Sequence, residues 1–74
     1  MKVLDEVKTG ENIKRLMQER GITIRDVQKY FGFNSTQAIY YWINSKRMPS
    51  LDNLVIMTSL FDVTLNDIII MREV

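Results

Sequence analysis

The chain has 74 residues, 46% of them apolar, and a formal net charge of +1, which suits one small domain with a single core. It contains no cysteine and no histidine, which excludes disulfide frameworks, thiolate chemistry, and the commonest metal ligand and general base. No stretch approaches the ~18 consecutive apolar residues of a membrane span, and acids stand near the N-terminus where a secretory signal is apolar. We therefore expect a cytoplasmic protein that is not an enzyme and holds no metal and no cofactor.

The charges are unevenly distributed along the chain. Residues 1–19 carry four basic and four acidic side chains, which cancel. Residues 20–50 carry five basic side chains and one acid, giving +4, whereas residues 51–74 carry one basic side chain and four acids, giving −3. A basic middle segment suits a polyanionic partner such as DNA, and the acids would then lie behind the binding surface.

The first part of the chain is predicted to be an N-terminal arm, residues 1–8, which forms either a short strand or a disordered segment. The domain proper is predicted to cover residues 9–74. Thr9 is expected to cap a first helix that runs to about Arg20, and Gly21 should end it. The buried stripe of this helix is predicted to be Ile13, Leu16 and Met17.

A second helix is predicted from Thr23 to about Phe31, followed by a turn at Gly32. Thr23 and Asp26 have the spacing of a capping box, and the free amides at this helix start suit a phosphate oxygen. The side chains expected to face the core are Ile24, Val27, Tyr30 and Phe31.

A third helix is predicted from Ser35 to Asn44, capped by Asn34 or Ser35. One face, spaced at i, i+3 and i+4, should be buried and consists of Ile39, Trp42 and Ile43. The opposite face is polar and consists of Thr36, Gln37, Tyr40, Tyr41 and Asn44. A short helix, a tight turn and a polar helix make the outline of a helix-turn-helix.

The polar face of the third helix has the chemistry of a major-groove reader, because base edges offer donors and acceptors that Gln, Asn, Ser and Thr match. Two alternatives remain open. The face is an ordinary solvated surface, or Tyr40, Tyr41 and Trp42 form a binding surface for a partner protein.

Two further helices are predicted in the last third of the chain. Pro49 and Ser50 open the first of them, which runs from Leu51 to Phe61 with a broad apolar face. Thr64 is expected to cap the last, which runs from Leu65 to about Met71. Its apolar residues cannot all face one small core, so an exposed patch is expected to serve self-association, with folding back or fraying as the alternative. The candidates for that patch are Ile69, Ile70 and Met71.

The chain resembles the Cro and phage-repressor type of helix-turn-helix protein, the XRE family, from about Thr9 to about Met71. The segments that carry the resemblance are GENIKRLMQERGIT, DVQKYFGF and QAIYYWINSKRMPSLDNLVIMTSLFDVTLNDI. The most specific part runs from Trp42 through Pro49 to the turn at Phe61, Asp62 and Val63. The resemblance implies an all-α bundle of five short helices and a transcriptional regulator, most often a repressor, which acts as a homodimer on half-sites ~34 Å apart.

The resemblance and the polar face together predict two sets of DNA contacts. Base edges would be read by Ser35, Thr36, Gln37, Tyr40 and Tyr41. Phosphates would be held by Thr23, Arg25, Lys29, Asn44, Lys46 and Arg47, although Arg25 and Lys29 could equally be ordinary surface cations. The competing functions are a protein-interaction module and a DNA-binding antitoxin of a toxin–antitoxin pair.

Overall fold

Five helices follow one another along the chain, and its two ends pair as short strands. The structure, a computed structural model, describes all residues, 1–74. In chain order the elements are β1 (Lys2–Leu4), α1 (Glu6–Arg20), α2 (Ile24–Phe31), α3 (Gln37–Ile43), α4 (Leu51–Phe61), α5 (Leu65–Ile68) and β2 (Met71–Glu73). The predicted all-α fold of five helices is confirmed, with a two-stranded sheet added to it. None of the helices combines the length and the apolar character needed to cross a membrane.

The core is built from all five helices and surrounds the back of α3. It consists of Ile13, Leu16, Met17, Val27, Ile39, Trp42, Leu54, Met57, Phe61 and Ile68. The stripe predicted for the first helix is therefore buried. Burying side chains of this size stabilises the fold by about 1.5–3 kcal/mol each, before the entropy of ordering them is counted.

The structure corrects two predictions about the core. Tyr30 is 51% exposed, because its neighbour Phe31 takes the inward position. The Phe31 ring packs edge-on against Trp42, with 5.4 Å between the ring centroids. The apolar face of α4 is also narrower than predicted, since Leu51 and Val55 are 66% and 53% exposed. This helix is covered on one side only, and that side is occupied by Leu54, Met57 and Phe61.

The first helix begins earlier than predicted, so the prediction that Thr9 caps it is wrong. Asp5 is the cap, and its carboxylate accepts a hydrogen bond from the Lys8 amide at 2.9 Å. Thr9 lies inside the helix and is fully buried, where its hydroxyl accepts a hydrogen bond from the Ile70 amide at 2.9 Å. The predicted arm therefore divides into β1 and the first turn of α1.

The second helix and the turn after it follow the prediction closely. Thr23 and Asp26 form both hydrogen bonds of the capping box, and Gly32 ends the helix in the left-handed conformation at φ 71°. Gln28 finds a partner, since its amide donates to the Phe33 carbonyl at 3.2 Å.

The third helix begins at Gln37, later than the predicted start at Ser35, and neither Asn34 nor Ser35 is its N-cap residue. The Phe33 ring stacks on Phe31 and packs edge-on against Trp42, with centroid distances of 5.1 and 5.7 Å. Residues 34–36 are not helical and connect Phe33 to the start of α3.

The end of the chain departs most from the sequence-based prediction. The last helix stops at Ile68 rather than Met71, and the chain continues extended into β2, which pairs antiparallel with β1. The Asn12 side chain stabilises the end of α5, because its amide donates hydrogen bonds of 2.8 Å to the carbonyls of Asp67 and Ile68. The β-branched isoleucines at 68–70 also favour an extended backbone. The Asp5 amide stabilises this segment by donating a hydrogen bond of 2.7 Å to the Ile70 carbonyl.

Candidate nucleic-acid interface

The two faces of α3 are separated as its spacing predicts, except that Ile43, predicted to be buried, is half-buried. Ile39 and Trp42 are buried, with 0% and 4% of their surface exposed, and they fix the helix to the core. On the other side Gln37, Tyr40 and Asn44 are exposed, and Thr36 and Tyr41 are half-buried. The polar side chains are therefore on the outside of the molecule.

The end of α3 is held by an unusually close approach of α1. A Cβ atom added to Gly10 would lie 2.6 Å from the carbonyl oxygen of Trp42, and it would also clash with the hydroxyl of Ser45. That hydroxyl donates to the Val7 carbonyl at 2.9 Å. Glycine is required here because only its missing side chain lets the two backbones come so near.

The turn after α3 folds back onto the helix that precedes it. Ser45 takes the left-handed conformation at φ 58°, which is uncommon for a residue with a side chain. The amides of Lys46 and Arg47 then donate to the carbonyl of Tyr41, at 2.8 and 3.3 Å. Both basic side chains are exposed and lie beside the polar face of α3.

On this surface the Tyr41 side chain contacts two others, those of Gln37 and Arg47. The amide nitrogen of Gln37 donates to the hydroxyl of Tyr41 at 2.8 Å. The guanidinium carbon of Arg47 lies 5.1 Å from the centroid of the Tyr41 ring, a cation–π arrangement. A groove of about 360 Å³ lies beside them, between α3, the turn and the start of α4.

The start of α2 presents a different arrangement. The Thr23 amide donates to the Asp26 carboxylate at 2.9 Å, and this hydrogen bond lowers the pKa of Asp26. The Thr23 hydroxyl oxygen accepts from the Asp26 amide, and a hydrogen bond between this hydroxyl and the Asp26 carboxylate also lowers the pKa of that carboxyl. The capping box therefore uses the amides of Thr23 and Asp26, two of the amides at this helix start that were predicted to suit a phosphate. Arg25 and Lys29 are exposed on the same helix.

Sequence reasoning missed the residues that position the surface. Of these residues, only Gly10 could have been identified from the sequence, because a glycine inside a helical pattern often marks a close packing contact. Ser45 and the stacking of Arg47 on Tyr41 had no such signal, since both depend on a backbone turn that spacing along a helix does not describe.

A helix-turn-helix family model matches residues 13–68, about three quarters of the chain. The matched range contains α2, α3 and α4 complete and ends with α5, while both strands lie outside it. No curated protein and no solved structure shows significant similarity to the chain.

Proposed function

The chain belongs to the XRE-type helix-turn-helix family of DNA-binding regulators, and we propose that it represses transcription by inserting α3 into the major groove of a specific double-stranded site. The observation that carries the proposal is the orientation of α3, whose apolar side anchors it while its amide and phenol groups face outward. A major groove about 12 Å wide admits a helix with its side chains.

Base edges are read by the exposed and half-exposed side chains of α3 and the turn before it. These are Ser35, Thr36, Gln37, Tyr40 and Tyr41. Gln37 is the most informative of them, because a glutamine amide can donate to N7 of adenine and accept from its N6 amino group. Its remaining N–H and its oxygen are not used within the protein.

Phosphates on either side of the groove are held by groups that flank α3. These are Thr23, Arg25, Lys29, Asn44, Lys46 and Arg47. The net charge of +4 on residues 20–50 supports this assignment, since phosphate contacts supply most of the affinity for DNA of any sequence.

The proposed location is the cytoplasm, and the proposed working form is a homodimer. A single module of this kind buries only about 600–1,000 Å² on DNA, so a second copy would increase the affinity. Two copies related by a two-fold axis would read half-sites ~34 Å apart. The proposed contact between copies is the end of the chain, Ile69, Ile70 and Met71. Of these three, Met71 is the most exposed, at 52%, whereas Ile69 packs partly against the core.

Affinity for bulk genomic DNA at two salt concentrations tests the proposed function. Each phosphate contact contributes about 0.9 to the slope of log affinity against log salt, so we expect a steep loss of binding as salt rises. A protein-interaction module would bind weakly at both concentrations, and that result would overturn the proposal.

We expect Gln37→Ala to lower affinity for the cognate site by about 1–3 kcal/mol and to leave affinity for random DNA nearly unchanged. The cognate site is first obtained by selecting bound genomic fragments, and both affinities are then measured by gel shift. Gln18→Ala is the matched control, because Gln18 is exposed on α1 away from α3. Equal losses on the two DNAs would remove Gln37 from the base-reading set.

A further inference from the structure

Arg47 lies against an aromatic ring. Its guanidinium is 5.1 Å from the centre of the Tyr41 ring, and its backbone amide donates to the carbonyl of the same residue. A planar guanidinium stacks well on an aromatic face. Lys46, the neighbouring cation in the same turn, makes no side-chain hydrogen bond or ion pair and is free to reach a phosphate.

The backbone of the turn delivers Arg47 to this position. Ser45 reverses the chain in its left-handed conformation and is tied to Val7 through its hydroxyl. The backbone amides of Lys46 and Arg47 then donate hydrogen bonds to the Tyr41 carbonyl in α3. These contacts fix the backbone of Arg47 beside Tyr41, and from there its guanidinium reaches the ring.

The contact continues from Tyr41 to Gln37. The Tyr41 hydroxyl accepts a hydrogen bond of 2.8 Å from the Gln37 amide, one turn earlier on the same helix. A glutamine amide has two N–H donors and one acceptor oxygen, so one donor and the oxygen remain for a base. That remaining pair is the one needed to hold adenine by two hydrogen bonds.

A glutamine side chain loses considerable rotamer freedom when it binds, which weakens binding unless the side chain is already ordered. The hydrogen bond to Tyr41 orders Gln37 before DNA arrives. The stacked guanidinium limits the movement of the Tyr41 ring and so acts on Gln37 through it.

We infer that Arg47 and Tyr41 are positioning residues that hold Gln37 ready to read a base, and that Arg47 contributes to sequence specificity rather than holding a phosphate. This inference rests on the proposed function and revises two of its assignments, the phosphate role of Arg47 and the base-reading role of Tyr41. It leaves Lys46 as the phosphate contact of the turn.

Arg47→Ala and Lys46→Ala are the matched pair that separates the two roles. For Arg47→Ala we expect affinity for the cognate site to fall about 10-fold, affinity for random DNA to change less than about 2-fold, and the salt slope to stay the same. For Lys46→Ala we expect similar losses on both DNAs and a slope lower by about 0.9. If Arg47→Ala behaves like Lys46→Ala, the inference is overturned.

Tyr41→Phe tests the second contact, because it keeps the ring under Arg47 and removes only the hydroxyl. We expect cognate affinity to fall about 3- to 10-fold in the wild-type background and to be unchanged in the Gln37→Ala background, since the hydroxyl then has no partner to hold. An equal loss in both backgrounds would show that the Tyr41 hydroxyl contacts DNA itself and would overturn its positioning role.

NMR relaxation of the Gln37 side-chain amide in the free protein separates failure of this inference from failure of the proposed function. We expect this amide to be ordered in the wild type and to become mobile in Arg47→Ala and in Tyr41→Phe. If it is equally ordered in all three proteins, the inference fails even where DNA binding is intact. If the order is lost as expected but the wild type does not bind DNA, the proposed function fails instead.

Discussion

Two exposed aspartates show how single side chains set the helix boundaries of this small fold. Asp26 at the start of α2 and Asp67 at the start of α5 each complete a capping box with a threonine three residues earlier. In both, the threonine backbone amide donates to the carboxylate, and this hydrogen bond is the main cause of a lowered pKa. The charged form of each carboxylate is therefore the one that supports the fold.

A lowered pKa in the folded state makes stability depend on pH in a defined direction. The contribution of Asp67 is present above the pKa of an unfolded aspartate, about 3.9, and is lost as pH falls through the lowered folded pKa. We expect Asp67→Ala to lose less unfolding free energy than the wild type between pH 7 and pH 2.

Urea denaturation at the two pH values measures this difference. Glu11→Ala is the control, because it removes an exposed carboxylate that makes no hydrogen bond or ion pair and lies beyond the first turn of its helix. An Asp67→Ala protein as sensitive to acid as the wild type would contradict the role of the cap.

At the scale of elements, the crossing of α1 and α3 decides the position of α3, the helix proposed to face DNA. The contact depends on Gly10, where a side chain would meet the backbone of Trp42. Alanine at a mid-helix position normally stabilises by about 0.5–1 kcal/mol relative to glycine. The sign of the effect of Gly10→Ala therefore distinguishes helix propensity from close packing.

We expect Gly10→Ala to lower the free energy of unfolding by about 1–3 kcal/mol, because α1 and α3 must move apart to admit the methyl group. Affinity for cognate DNA should fall with it, since α3 shifts relative to the phosphate contacts. Chemical denaturation and gel shift measure the two effects, with Glu11→Ala on the exposed side of α1 as control. A more stable Gly10→Ala protein would show that the close approach is not required.

The elements that sequence predicts well are those governed by local chemistry. The capping box at Thr23, the glycine ends at Gly21 and Gly32, and the serine cap of α4 all lie where their residue types require. The strands could not be predicted this way, because each has three residues and exists only through pairing with the other end of the chain. The start of α3 at Gln37 also differs from the predicted start at Ser35, because residues 34–36 are not helical.

The candidate site likewise has one part that local sequence predicts and one part that it does not. Helical spacing is enough to predict which side of α3 faces outward. It does not predict that Arg47 lies over the Tyr41 ring, because that contact needs the left-handed Ser45 and the backbone of the turn. Spacing therefore selects the residues of the surface, and the turn determines how they are arranged.

At the scale of the whole molecule, the uneven charge and the exposed apolar residues bear on assembly. The basic residues 20–50 contain α3 and its turn, and the acidic residues 51–74 contain the proposed contact between copies. Apolar side chains are also exposed on α4, at Leu51 and Val55. Two surfaces on one chain thus offer apolar area to a second copy, and only one of them is the proposed interface.

We expect Met71→Lys to convert the proposed homodimer to a monomer, because a lysine on an edge strand opposes further association. Sedimentation at several protein concentrations measures the change. Val55→Lys is the matched control, since it places the same charge on the exposed face of α4 and should leave the dimer intact. A dimer that survives Met71→Lys but not Val55→Lys would move the interface to α4.

The most direct test of the account is to map the DNA-bound surface by backbone amide chemical shifts as a selected duplex is added to the labelled protein. We predict that the largest changes fall on residues 35–47, with smaller ones at the start of α2. Shifts concentrated on the exposed face of α4 or on the paired strands, with residues 35–47 unchanged, would contradict the claim that α3 presents its polar side to the groove.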